Sequence, residues 1–179
     1  MRQFMFKAAA VAALASAAVA ANAADGTITI SGTVVSNTCV VNVNGSGTSP
    51  TVSLPKVAAT SLGAAGATAG TTPFTIGVTG CGGVAINTQP YFEPAASGSS
   101  AMANGRLTST GVANVDIEIL NSAGNSVSLG SAPGAQNVPV VATAAGSATH
   151  TFYARYYARA TVSATGAVTA SLAYTMTYP

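Results

Sequence analysis

Apolar positions along this chain recur every second residue, and polar or small residues fill the gaps. Phe74, Ile76 and Val78 alternate with small or polar neighbours. Val115, Ile117 and Ile119 share one parity, while Asp116 and Glu118 take the other. Phe152, Ala154, Tyr156 and Ala158 interleave with Tyr153, Arg155, Tyr157 and Arg159. Period two is the mark of half-buried strands with one core face and one wet face. On this pattern Asp116 and Glu118 are expected to be solvated charges on the outward face. Asn44-Gly45, Gly82-Gly83, Asn104-Gly105 and Ala123-Gly124-Asn125 punctuate the runs as turns. The Ala/Gly-rich stretch 58–70 is expected to be a loop, with a short helix as the alternative, and no sustained 3.6-residue period with caps occurs elsewhere. Many short strands with Gly-rich turns predict an all-β chain, a β-sandwich of immunoglobulin-like type.

The longest strand signal lies at the C-terminus. Val168, Ala170, Leu172, Tyr174, Met176 and Tyr178 hold every second position from Gly166 onward, and Thr169, Ser171, Ala173, Thr175 and Thr177 fill the other face. No later segment remains to pair with its far edge, and a long apolar edge left open invites aggregation. Near the other end, residues 26–34 (GTITISGTV) form a second period-two run, with Ile28, Ile30 and Val34 on one face. Two readings follow. The N-terminal strand pairs within its own domain, or it leaves that domain and adds to the sheet of a neighbour. A head-to-tail contact of the second kind propagates into a filament.

Export narrows the setting. Arg2 and Lys7 precede a small apolar run, Ala8 to Ala20, and Ala21-Asn22-Ala23 supplies an A-x-A cleavage site, which together form a secretory signal peptide. The run is shorter than the roughly 18 apolar residues that read as a membrane span. Residues 1–23 are therefore assigned to the signal, with a membrane anchor and a cut after Ala20 as alternatives. Of 179 residues, 156 then remain, enough for one domain with a substantial core. Lys56, Arg106, Arg155 and Arg159 balance Asp25, Glu93, Asp116 and Glu118, so the remaining chain carries no net side-chain charge. So few cations give no basis for neutralising a run of phosphates, and nucleic-acid binding is unsupported. Low surface charge suits a protein that packs against copies of itself.

Cys39 and Cys81 are the only cysteines. An oxidising compartment favours a disulfide between them, whereas a metal site lacks further ligands, since His150 is the sole histidine. No catalytic constellation appears: there is no G-x-S-x-G, and Cys81-Gly82-Gly83 lacks the lysine of a phosphate loop. The Tyr153/Arg155/Tyr157/Arg159 face has the composition to stack on a sugar or base, and equally to pack a subunit. Asn44-Gly45-Ser46 matches a glycosylation sequon.

On these residues the chain resembles the major subunits of type 1-like, chaperone–usher fimbriae. The resemblance is carried by residues 26–35 leading to Cys39, by Thr72-Pro73-Phe74-Thr75-Ile76 leading to Cys81, by Tyr91-Phe92-Glu93-Pro94 and by Tyr153-Ala154-Arg155-Tyr156-Tyr157-Ala158. Most specific is the ending, with Gly166 fourteenth from the C-terminus, the alternating run and the penultimate Tyr178. The resemblance implies an incomplete immunoglobulin-like sandwich lacking its last strand, residues 34–179, preceded by a donor extension, residues 24–33. It implies a periplasmic chaperone that fills the gap and an outer-membrane usher that exchanges it for the extension of the next subunit. Ala24, Gly26, Ile28 and Ile30 would be the donor residues, with Gly26 entering a pocket that has no room for a side chain. Gly166, Val168, Ala170, Leu172, Tyr174, Met176 and Tyr178 would form the acceptor groove and chaperone contact, and Cys39 and Cys81 match the family disulfide. The implied role is a fimbrial structural subunit supporting cell adhesion on the bacterial surface, not an enzyme and without a cofactor. A minor or tip-associated subunit with a glycan-binding role is the alternative. Only two residues precede Gly26 after the expected cleavage, fewer than in many relatives.

Overall fold

The computed structural model describes residues 39–93 and 100–179. Contacts divide the chain into Met1–Val35 and Ser36–Pro179, and everything described belongs to the second unit. The expected signal segment and the expected donor residues Ala24, Gly26, Ile28 and Ile30 lie outside the described residues.

Nine strands and one short 3-10 helix, Ala59–Leu62, make up the regular structure among those residues. The strands are β1 (Val40–Val43), β2 (Thr68–Thr79), β3 (Asn87–Phe92), β4 (Met102–Ala103), β5 (Arg106–Thr108), β6 (Val115–Leu120), β7 (Val141–Ala142), β8 (Ala148–Ala158) and β9 (Tyr174–Thr177). One sheet runs in the order β1-β2-β8-β6-β5-β4, and the other in the order β7-β3-β9, all neighbours antiparallel. The expected all-β sandwich is what forms, and the stretch 58–70 combines the 3-10 turn with the start of β2.

Local chemistry explains several joints. Asn104 and Gly105 both hold positive φ, 52° and 75°, and close the two-residue β4–β5 hairpin, a turn whose twist matches the flanking strands. Pro90 in β3 and Pro73 in β2 lie beyond the last residues paired with β7 and β1, where no ladder partner needs the missing N–H. At Phe92 a side chain replaces the absent strand: Gln136 Nε2 donates to the Phe92 carbonyl at 2.7 Å, and the Phe92 N–H donates to Gln136 Oε1 at 2.9 Å. Gly111 stands at φ +100°, and a Cβ there would meet the Ala167 carbonyl oxygen at 1.9 Å, so the chain approaches itself where only glycine fits.

The main core lies between the sheets. Phe152 of β8 stacks on Phe74 of β2 with centroids 5.5 Å apart and meets Phe92 of β3 edge-on at 5.2 Å, arrangements aromatic rings favour. Ile76, Leu107, Ile117, Ile119, Val127 and Ala154 complete it. A smaller cluster of Leu62, Val112, Val115, Ala158 and Val162 anchors the 3-10 helix.

One expectation is corrected on the outer face of the long sheet. Asp116 and Glu118 point away from the core, yet they are 1 % and 5 % exposed instead of solvated. The reason is their place on β6, flanked by β5 and β8, whose long cationic side chains fold over them. Arg159 and Arg106 approach Asp116 at 2.9 and 3.6 Å, and Arg155 approaches Glu118 at 2.7 Å. Ser126 Oγ donates to the other oxygen of Glu118 at 2.8 Å, and the Arg106 guanidinium lies 3.8 Å from the Tyr157 ring centroid. The arginine side chains cover the carboxylates while remaining themselves 17–44% exposed. Buried charges persist only when paired, and here the pairing is supplied across strands.

The sole histidine is a structural joint. Thr88 Oγ1 donates to the Val141 carbonyl at 2.8 Å, so it accepts from His150 Nε2 at 2.9 Å, which fixes the proton on that nitrogen. His150 thus ties β8 of one sheet to β3 and β7 of the other. Burial lowers its pKa from 6.5 to about 4. A lowered folded-state value means that the neutral ring stabilises the fold fully above about pH 6.5, and that this contribution is lost as pH falls through about 4. Replacing it by His150→Gln, which keeps a donor for Thr88, is expected to flatten the decline of the thermal midpoint between pH 7 and pH 4. A decline equal to that of the wild-type chain would show that His150 takes no part in acid unfolding.

Candidate functional site: an open groove between the sheets

The C-terminal run is a regular strand over Tyr174–Thr177 alone, where the sequence pattern predicts one from Gly166 to the end. Upstream it stays extended but takes its partners piecemeal, because β3 ends at Phe92 and offers no longer ladder. Glu93 N–H donates to the Ala173 carbonyl at 3.0 Å, Ser100 N–H to the Ser171 carbonyl at 2.8 Å, and Thr110 N–H to the Thr169 carbonyl at 2.9 Å. The Thr175 hydroxyl adds a hydrogen bond to Glu93 Oε1.

These contacts all use the odd-numbered residues. Along an extended strand the N–H and C=O of one residue point to one edge and those of the next point to the other. Val168, Ala170, Leu172, Tyr174 and Met176 therefore direct their backbone polar groups to the opposite edge. Their side chains pack against the main core. Among the described residues β9 pairs with β3 alone and is an edge of its sheet. A row of unpaired donors and acceptors of this kind is a template for another strand.

Across from that edge runs the segment Thr48–Leu54. Among the described residues Thr51–Leu54 find no backbone hydrogen-bond partner. Between the two walls lies an open cleft of about 1050 Å³. Its floor is core: Val43, Phe74, Ile76, Phe92, Leu107, Ile117, Ile119, Ala154 and Tyr156. Protein interiors have few voids larger than a water molecule, so apolar floor left open over this volume amounts to a missing element of the sandwich. The fold is an immunoglobulin-like sandwich short of one strand.

Of the residues predicted from the sequence, Val168, Ala170, Leu172, Tyr174 and Met176 line the cleft. Gly166 and Tyr178 stand at the two ends of the run, outside the lining, and Tyr178 is 39 % exposed. The facing wall was missed. Its signal was a short alternation, Val52 and Leu54 against Thr51 and Ser53, flanked by Pro50 and Pro55. Cys39 and Cys81 are joined in a disulfide that pins the start of β1 to the turn after β2. The cluster around it includes Val78 and Ala148, with Val41 and Met176 packed on, so it closes one end of the cleft. Tyr153, Arg155, Tyr157 and Arg159 lie on the far side of the long sheet, where the arginines hold the buried carboxylates, away from the cleft.

Tyr174 differs from the other lining residues. Its hydroxyl donates across the cleft to the carbonyl of Thr48 at 3.1 Å. Burial raises the pKa of this phenol above its ordinary 10, which keeps it a donor at neutral pH.

Comparison with known proteins places this geometry. The family model described as "Fimbrial protein" matches residues 28–179. The F17 fimbrial protein of Escherichia coli is 40% identical over 162 residues, spanning 86% of this chain and 87% of that protein. The major fimbrial subunit SMF-1 of Stenotrophomonas maltophilia is 42% identical over 175 residues, 92% of this chain and 99% of that protein. Among solved structures, the P pilus rod subunit PapA superposes with a TM-score of 0.60 at 13% identity, covering 78% of this chain and 99% of its own. A subunit from the structure of a chaperone–usher pilus gives 0.58 at 16% identity, covering 87% and 96%.

Proposed function

Because this chain belongs to the Fimbrial protein family, we propose that it is a structural subunit of a chaperone–usher fimbria and polymerises by donating a strand to its neighbour. The observation that carries this reading is the cleft: an apolar floor between two walls whose cleft-facing edges have no partner strand among the described residues. A strand laid between them would pair with both walls and cover the floor, which is β-augmentation. The donor is the segment 24–33, whose alternating Ala24, Gly26, Ile28 and Ile30 present one apolar face. Donor and acceptor sit on one chain, so the contact is head-to-tail and leaves a free donor and a free groove at the ends of any oligomer. Before assembly the open edge is an aggregation hazard, and a periplasmic chaperone occupying Val168–Met176 would guard it. An outer-membrane usher would then exchange that chaperone for the next subunit's donor, placing the fibre on the cell surface, where it supports adhesion.

The test is secretion of the full chain together with its chaperone and usher. Fibres are expected with the intact chain. Deletion of residues 24–33 is expected to leave a chaperone-bound subunit and no fibre. Fibres of undiminished length from the deleted chain would overturn the reading.

A further inference from the structure

The sandwich has one end where β1, β3 and β8 begin and β2, β7 and β9 finish. The registers place it: Val40 stands opposite Thr79, Val78 opposite Ala148, Asn87 opposite Ala142 and Gln89 opposite Thr177. The Cys39–Cys81 disulfide and its cluster join these strand ends across the two sheets. Val40 and Val84 flank the disulfide, one residue after Cys39 and three after Cys81, and they are 65 % and 72 % exposed. Tyr178, two residues beyond Met176 of the same cluster, is also exposed. Val40, Val84, Val140 and Tyr178 are the exposed large hydrophobics among the described residues, so three of the four gather at one end. No Asp, Glu, Lys or Arg occurs in the segments that build this end, 39–55, 76–92, 140–149 and 174–179. Surface charge keeps proteins apart, and exposed apolar side chains grouped without it mark a contact surface.

The chain itself brings a partner to this end. Residues 34–38 link the donor segment 24–33 to Cys39. An extended chain spans at most about 3.6 Å per residue, so the stretch from residue 33 to Cys39 reaches about 20 Å. For scale, β2 has 12 residues and is about 40 Å long. Cys39 of one copy is thus held within half a strand length of the copy that takes its donor. So short a tether gives the second domain a high effective concentration at the disulfide end. We propose that this end, through Val40 and Val84, packs on the domain of the copy that accepts the donor; this rests on the donated-strand reading above. Successive domains then meet through a second, apolar contact outside the groove. Burying the two valines stiffens a joint that the linker alone would leave free to swing.

The experiment uses fibres of full chains secreted with their chaperone and usher, and reads the persistence length of those fibres in electron micrographs. Val84→Asp is expected to shorten it by about twofold or more, because a carboxylate set against apolar surface finds no partner there. Val40→Asp is expected to act in the same direction. Ala132→Asp puts the same charge on an exposed loop near Gln136 and Phe92, at the other end of β3, and is expected to change nothing. The level of chaperone-bound subunit reports folding, and at sites this exposed it is expected to hold. Where Val84→Asp is not assembled, Val84→Thr keeps the shape of the side chain, and its fibres are expected to be more flexible than those of the unaltered chain. Equal stiffness in the Val84 variants and the unaltered chain would overturn the contact and leave the donated strand standing. Absence of fibres from the unaltered chain would withdraw the donated-strand reading itself, and this proposal with it.

Discussion

A chain stripped of residues 24–33 and given the same segment behind Pro179 through a short linker is expected to melt roughly 10–20 °C above the stripped chain without the graft. The effect has two sources. Burial of Ile28 and Ile30 contributes about 1.5–3 kcal/mol each, and for a domain of this size each kcal/mol moves the midpoint by about 2–4 °C. Backbone pairing with Val168–Met176 and Thr51–Leu54 adds to this by satisfying groups that otherwise face the cleft. The graft can reach the open edge of the terminal run, because a strand that turns back after Pro179 runs antiparallel to β9. The graft supplies the donor from within the chain, so it should also stay monomeric. Calorimetry with light scattering measures both. Equal midpoints for two stable monomers would mean that the sandwich is complete without a donor.

Removing the disulfide is the second large perturbation. Cys39 and Cys81 are 42 residues apart, and in the chain-entropy model closing a loop of this length is worth about 4 kcal/mol. The location adds to the effect. Among the described residues β1 is an edge strand of four residues paired with β2 alone, and Val41 and Val43 from it line the cleft. Without the crosslink β1 is free to fray, and the end of the cleft near Met176 loses its support. The Cys39→Ala/Cys81→Ala chain, carrying the graft so that the cleft is filled, should therefore unfold on the order of 10 °C lower than the grafted chain with its disulfide. A difference under about 2 °C would show that packing alone holds β1 in place.

Much of this was present in the order of residues. Alternation at Phe74–Val78, Val115–Ile119 and Phe152–Ala158 fixes which face of each strand is apolar, since a pleated strand sends successive side chains to opposite sides. That period, with Asn-Gly and Gly-rich turns, is enough for an all-β sandwich. Val168 to Met176 were legible as an alternating strand, their place in a groove came from the family resemblance, and in the structure their even-numbered positions line the cleft. The cysteine pair was legible because the sequence has two thiols and an expected signal peptide, which leave each thiol one obvious partner.

Other features depend on contacts that sequence spacing does not encode. Asp116 and Glu118 have the parity of solvated residues, but parity reports only the face of a sheet and not what lies over it. Their burial follows from sheet order, which brings Arg106 from β5 and Arg155 and Arg159 from β8 onto β6 from both sides. The wall Thr48–Leu54 forms no regular strand, so only its position opposite β9 marks it as part of the groove. The bridge from Tyr174 to Thr48 joins residues 126 apart along the chain. The sequence alone determined the apolar faces, the turns and the alternation of the C-terminal run, because these are local properties of the backbone. The tertiary structure decided what faces each of them across space, because which distant residues meet follows from the packing of the two sheets.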